Sequence, residues 1–221
     1  MDPDSPTLVD LFSGCGGLAL GFHESGFQTV LANDLHPDPA TTYVRNLMPE
    51  SPEVMRVGDV AEQLSPSRLA KWVEGIDYEV DCVAGGPPCQ GFSMAGPGDP
   101  DDPRNRLFRD FLRVTDGIMP KTVVFENVPG FANRYGMKLR DKLHSHLEKS
   151  GYRVCSGVLV AREFGVPQLR RRFFAIGVRE DVIGSEELVM PTPTFSDKRQ
   201  RRELTCERVI GDLDTHRGRG D

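Results

Sequence analysis

Hydrophobic positions in this chain of 221 residues fall into short continuous runs separated by amphipathic stretches. "TLVDLF" (7–12), "FQTVLAN" (27–33), "DCVAGG" (81–86) and "TVVFENV" (122–128) have the length and bounding turns of strands buried on both faces. Between them lie segments with helical spacing. "CGGLALGFHESG" (15–26) is closed by Gly26, "PDPATTYVRNLM" (37–48) is opened by prolines, and "NRLFRDFLRVTDGI" (105–118) carries an apolar stripe. "GMKLRDKLHSHLEKSG" (136–151) is a further amphipathic helix ending at Gly151, and "YRVCSGVLVA" (152–161) and "RRFFAIGVR" (171–179) are two more strands. The alternation predicts an α/β fold with a doubly wound, mostly parallel sheet. With no helix between them, the last two strands should pair antiparallel at or near one end of it. From about Glu186 the pattern dissolves into proline, threonine and charge, and "CERVIGDLD" (206–214) is an isolated helical turn or two. We therefore expect a catalytic and cofactor-binding unit over residues 1–185 and a linker over 186–221.

Composition narrows the class. Hydrophobic residues make up 38% and charged residues 27%, enough for an ordinary core. No apolar run nears the roughly 20 residues of a membrane span, and "MDPDSP" lacks a signal-peptide pattern, so a cytoplasmic protein is expected. Five cysteines with no C-x-x-C pair argue against a disulfide framework or a zinc site. His144 and His146, two residues apart on a helix, point away from each other and read as solvated rather than as metal ligands. A net charge of −6 is unusual for a chain that holds nucleic acid alone, although "LRRRF" (169–173) and "KRQRR" (198–202) concentrate positive charge.

Four blocks carry chemistry. In "DLFSGCGGLALG" (10–21) a strand, a glycine turn and a helix follow one another, the arrangement in which a nucleotide-like ligand approaches the backbone. Gly14, Gly16 and Ala19 satisfy G-x-G-x-x-A, a pattern a dehydrogenase would also show. Asp34, about 20 positions on, is placed to hold ribose hydroxyls. Asp59 in "VGDV" is suited to accept from an exocyclic amine or is a turn aspartate. In "GGPPCQGFS" (85–93) a cysteine sits just past a strand end, whereas one needed only for packing belongs inside the strand, as Cys82 does. "FENVPG" (125–130) places Glu126 at the next strand end, where a charge directly after "VVF" needs a partner. In "FGVPQLRRRF" (164–173), Arg170 and Arg172 share one face of an extended segment. Strand ends of a parallel sheet lie on one rim, so Cys89 and Glu126 can converge over a ligand at Gly14–Gly17. Thiolate, carboxylate and guanidinium over a nucleoside-type cofactor point to conjugate addition to an electron-poor ring, after which the neighbouring carbon can accept a methyl group. Cytosine, attacked at C6 and methylated at C5, fits each role.

These blocks resemble, in order, the signature blocks of the DNA (cytosine-5)-methyltransferases, which use S-adenosylmethionine and release S-adenosylhomocysteine. The resemblance spans about Leu8 to Arg179. It implies the Rossmann-like fold of S-adenosylmethionine-dependent methyltransferases, Cys89 as nucleophile, Glu126 at cytosine N3, and Arg172 with Arg170 supporting Glu126 and the cytosine O2. Phe12 would stack on the adenine, Asp34 would hold the ribose, and Asp59 with Val60 would meet the adenine edge. Pro88 and Leu107 would line the pocket, with Ser13, Gly14, Gly16, Gly17, Leu18 and Leu35 completing the cofactor set and no metal required. "SMAGPGDPDDPRNR" (93–106) corresponds to the family's mobile loop, and the substrate would be double-stranded DNA with its target base flipped out. The family normally continues into a target-recognition domain and a block that completes the cofactor pocket. Their absence here implies either a truncated form or the catalytic subunit of a split enzyme, with apolar surface exposed near the C-terminus. A transfer-RNA cytosine methyltransferase, a silent binding module and a nicotinamide dehydrogenase are the alternatives. "CQGFS" favours DNA over RNA, and Cys89 with Glu126 is left unexplained by the dehydrogenase.

Overall fold

In the computed structural model, which describes residues 5–88, 106–132, 137–195 and 204–212, strand β1 (Thr7–Leu11) is buried at every position. It lies inside a sheet of seven strands in the order β3-β2-β1-β4-β5-β7-β6. The others are β2 (Gln28–Asp34), β3 (Met55–Val57), β4 (Cys82–Gly85), β5 (Thr122–Asn127), β6 (Tyr152–Val160) and β7 (Arg171–Arg179). β1 pairs in parallel with both β2 and β4, and β2–β3 and β4–β5 are parallel as well. β7 runs antiparallel to β5 on one side and to β6 on the other. The reversed strand therefore lies one position in from the edge, with β6 outside it.

Alternate residues of each central strand feed two cores. Leu8, Ala32, Cys82 and Ala84 face Ala19 of α1 (Gly17–Glu24) and Tyr43 of α2 (Pro37–Leu47), and the small residues let α1 sit close to the sheet. On the opposite face Val9, Leu11, Val83, Val123 and Phe125 meet Val60 of α3 (Val60–Gln63), Leu69 of α4 (Pro66–Glu74), and residues of α5 (Arg106–Ile118) and α6 (Met137–Lys149). Five rings, Phe108, Phe111, Phe125, Phe131 and Phe173, pack here with centroids 5.0 to 6.1 Å apart. Their edge-to-face and tilted geometries add to the area they bury. Phe131 and Phe173 tie the antiparallel end of the sheet to the parallel part. Two short helices, α7 (Glu180–Ile183) and α8 (Cys206–Ile210), complete the described elements.

The hydrophobic pattern missed β3, α3, α4 and α7. β3 is three residues of half-exposed edge, α3 a single turn, and α4 has Leu69 as its one buried residue, so none displays a long apolar period. The histidine expectation also changes. His144 and His146 do diverge, but neither is simply solvated: Nε2 of His144 meets Ser156 Oγ at 2.9 Å, and Nε2 of His146 meets the Asp116 carboxylate at 2.9 Å. Among the described residues no helix is long and apolar enough to cross a membrane. Toward the C-terminus Val189, Val209 and Ile210 are more than half exposed.

Candidate active site at the carboxyl rim of the sheet

The strand order reverses between β1 and β4, and the loops leaving these two neighbours open a crevice at their carboxyl ends. β1 leads into the glycine turn and β4 into the cysteine loop. The turn is built around backbone that side chains tolerate poorly. Phe12 has φ 57°, a left-handed conformation costly for a bulky residue, and its half-buried ring both packs against the core and lines the crevice. Gly16, at φ +91°, has the Tyr43 ring and Leu47 where a Cβ would stand, at 2.9 and 2.5 Å. Asp34 ties the turn to the end of β2, its Oδ2 accepting from the Gly14 N–H at 2.8 Å and its Oδ1 from the His36 N–H at 2.9 Å.

A cavity of about 710 Å³ occupies the crevice. One wall is Asp10, Phe12, Ser13, Gly17 and Leu18; the other is Glu126, Arg170, Arg172 and Phe174, with Gly86 between them. A Cβ at Gly17 would meet nothing within 4 Å, so the backbone here is open to close approach. Asp10 is 1% exposed and Ser13 8%, and neither the Asp10 carboxyl oxygens nor Ser13 Oγ has a hydrogen-bond partner. Burial pushes the Asp10 carboxyl up to about 8, the Tyr43 hydroxyl opposing that shift and the charge of Asp34 adding to it. Polar atoms left unpaired in this way on a cavity wall are suited to a ligand.

On the other wall Glu126 Oε1 stands 3.0 Å from Arg172 Nε and 3.7 Å from Arg170 Nη2. The alternation of Arg170 and Arg172 thus brings both guanidiniums to one carboxylate, as the sequence spacing predicts. Gly86 leaves room beside them: a Cβ there would lie 2.9 Å from Glu126 Oε2, and the carboxylate would have to shift. Asn127, 4% exposed, donates from Nδ2 to the Pro87 carbonyl at 3.0 Å and so ties the end of β5 to the start of the cysteine loop. Cys89 itself, Gln90 and most of the 93–106 segment lie outside the described residues.

Of the predicted cofactor residues, Phe12, Ser13, Gly17 and Leu18 line the cavity. Gly14, Gly16, Asp34, Leu35, Asp59, Val60, Pro88 and Leu107 are not among the residues that line it. Leu35 is 57% exposed, Leu107 packs against the core, and the Val60 side chain is buried, which leaves Val60 only its backbone to offer a ligand. Asp59 takes up the turn alternative: its Oδ1 accepts from the Ala61 N–H at the start of α3, and its Oδ2 pairs with Arg106 at 2.5 Å. These two contacts hold its carboxyl below the usual range. Sequence reasoning assigned no role to Asp10 or Asn127. An acidic residue inside "TLVDL" was the available signal for the first, since a carboxylate in a buried strand needs a reason. Nothing in the sequence marked the second.

The match to known proteins covers nearly all of this architecture. The family model described as C-5 cytosine-specific DNA methylase matches residues 7–219. The Type II methyltransferase M1.HphI of Haemophilus parahaemolyticus is 40% identical over 87% of this chain and 50% of its own length. M.AquIA of a Picosynechococcus species is 36% identical over 89% of this chain and 80% of its own length. Among solved structures, DNMT2 of Spodoptera frugiperda superposes with a TM-score of 0.65 at 26% identity, over 85% of this chain and 54% of that one. The chain spans about half the length of several of the curated relatives it matches, 50% of M1.HphI and 48% of M.DdeI. The chain belongs to the C-5 cytosine-specific DNA methylase family.

Proposed function

We propose that this protein transfers a methyl group from S-adenosylmethionine to C5 of cytosine in DNA, through a covalent bond between Cys89 and C6 of a flipped base. The observation that carries the reading is the cavity, with its glycine turn and unpaired acidic group on one wall and the Glu126–Arg170–Arg172 cluster on the other. S-adenosylmethionine, when bound, supplies an electrophilic methyl group on a positively charged sulfur. The residues present fit such a ligand: Asp10 and Ser13 offer unpaired polar atoms to a cationic, amine-bearing molecule, Phe12 offers a ring face, and Gly17 admits the ligand to the backbone. Asp34 is assigned the ribose in addition to its two backbone bonds, since a carboxylate can accept more than two hydrogen bonds. On the other wall Glu126, in its protonated form, donates to cytosine N3, Arg172 steadies Glu126, and Arg170 is available to the base carbonyl. The negative charge that develops on the ring when the thiolate adds is then stabilised by groups already in place.

Base reading belongs to a target-recognition domain, which we assign to a second polypeptide or to further sequence. A net charge of −6 is unusual for a chain that holds duplex DNA alone. M1.HphI and M.DdeI, each about twice as long, support this division.

Calorimetric titration with S-adenosylmethionine tests the cofactor half of the reading. A cation held beside Asp10 favours its ionised form, so binding at neutral pH should release a proton, and affinity should rise with pH and level off above about 8. Asp34→Ala should weaken binding by about 1.5–3 kcal/mol, roughly one to two decades. An absence of binding, or an Asp34→Ala protein with unchanged affinity, contradicts the assignment.

A further inference from the structure

Beneath the glycine turn a chain of side chains runs from the protein surface toward the cavity. His23, on α1, is half-buried, and its Nε2 meets Thr29 Oγ1 at 2.8 Å. Thr29 Oγ1 meets the Tyr43 hydroxyl at 3.0 Å. Thr29 is 3% exposed and Tyr43 fully buried, and the Tyr43 hydroxyl lies beside the Asp10 carboxyl. It stands close enough to oppose the upward shift of Asp10, yet short of a hydrogen bond of ordinary geometry. Burial pushes the Tyr43 hydroxyl up and the His23 imidazole down, so both are neutral around pH 7.

The direction of this chain follows from proton bookkeeping. An ionised carboxylate only accepts, so a Tyr43 hydroxyl that serves it must donate. Its oxygen is then free to accept from Thr29, and Thr29 Oγ1 is free to accept from an Nε2–H of His23. Hydrogen bonds aligned this way polarise one another. The other titratable groups around Asp10 oppose or ignore ionisation. Asp34 on β2 is of like charge, Cys82 on β4 is a buried neutral thiol, and the Glu126–Arg170–Arg172 cluster stands on the far wall.

We infer that Tyr43 is a positioning residue for the cofactor cavity, its hydroxyl, ordered by Thr29 and His23, directing the Asp10 carboxylate toward a bound cation. The inference rests on the cavity being the S-adenosylmethionine site. Tyr43 also supports the turn by packing its ring under Gly16, and this second role is separable, because phenylalanine keeps the ring and loses only the hydroxyl.

The experiment is calorimetric titration of S-adenosylmethionine across a pH series with the wild-type chain, Tyr43→Phe, Thr29→Val and Asp10→Asn. Wild-type affinity should rise with pH, and Asp10→Asn should bind weakly with no such rise. Tyr43→Phe should move the rise to higher pH and be roughly tenfold weaker at neutral pH, the worth of a hydrogen bond to a charged group. Thr29→Val should move it the same way by less, and it stands in for Tyr43→Phe if that protein does not fold. A purely structural Tyr43 would alter melting temperature and leave the pH profile in place. Profiles of folded Tyr43→Phe or Thr29→Val that superimpose on wild type overturn the inference while leaving the cofactor assignment intact. A wild-type chain that does not bind S-adenosylmethionine removes both.

Discussion

Replacing Cys89 by serine is expected to reduce methyl transfer by roughly 10⁴-fold or more while leaving S-adenosylmethionine affinity within about a factor of two. A free cysteine titrates near 8.5, so a usable fraction is thiolate at neutral pH, whereas a serine hydroxyl is scarcely ionised and is a far weaker nucleophile toward C6. Position gives the second half of the expectation. Cys89 follows Pro88 in the loop beyond β4, and the cavity wall that we assign to the cofactor is contributed by β1, the glycine turn and α1. Single-turnover methylation, run in parallel with calorimetry, measures both quantities. A variant that loses its fold or its cofactor affinity would make the residue structural.

Glu126→Gln carries the second-largest expected effect, a loss of about 10²- to 10³-fold in the rate of methyl transfer with ground-state DNA affinity changed by no more than about threefold. The carboxylate is positioned by the Arg172 Nε at 3.0 Å and by Arg170 at 3.7 Å. Its proposed partner, cytosine N3, gains charge only as the thiolate adds, so the interaction strengthens between ground and transition states and is read in the rate. Glutamine keeps the shape and can still donate to N3, but it has no acidic proton to pass to the nitrogen as charge builds there. Equal losses in rate and in affinity for DNA would instead make Glu126 a binding residue.

Much of this site could be read from the chain because strand ends of a parallel sheet must share a rim. "VVFE" fixed the place of Glu126, and the spacing of Arg170 and Arg172 fixed their common face; the ion pairs follow from those two facts. The glycine turn was legible for the same reason, its irregular backbone demanding residues without a Cβ. What the sequence concealed was what each polar group does in the absence of ligand. Asp34 reads as a ribose contact and Asp59 as an adenine contact or a turn residue; in the fold one pins Gly14 and His36, and the other starts α3 and pairs with Arg106. Turn and cap bonds depend on backbone direction, which residue spacing does not encode. The unpaired state of Asp10 was hidden for a further reason: burial of a carboxyl on one strand depends on α2 closing over it, a contact between distant elements. β3 and α4 were missed because an edge strand and a nearly exposed helix bury too little to leave a period in the sequence.

The measurement that tests the account most directly is covalent trapping on DNA containing 5-fluorocytosine, with S-adenosylmethionine and a polypeptide carrying the target-recognition domain. Addition of the Cys89 thiolate to C6 and transfer of the methyl group to C5 leave a ring from which the thiol departs only when C5 loses a proton. Fluorine at C5 removes that proton, so the enzyme stays bonded to the base. The account predicts a complex that survives denaturing electrophoresis, requires S-adenosylmethionine, and yields a single modified peptide with the nucleotide on Cys89. DNA and cofactor that both bind to the assembled protein without forming an adduct, or an adduct on another residue, would contradict it.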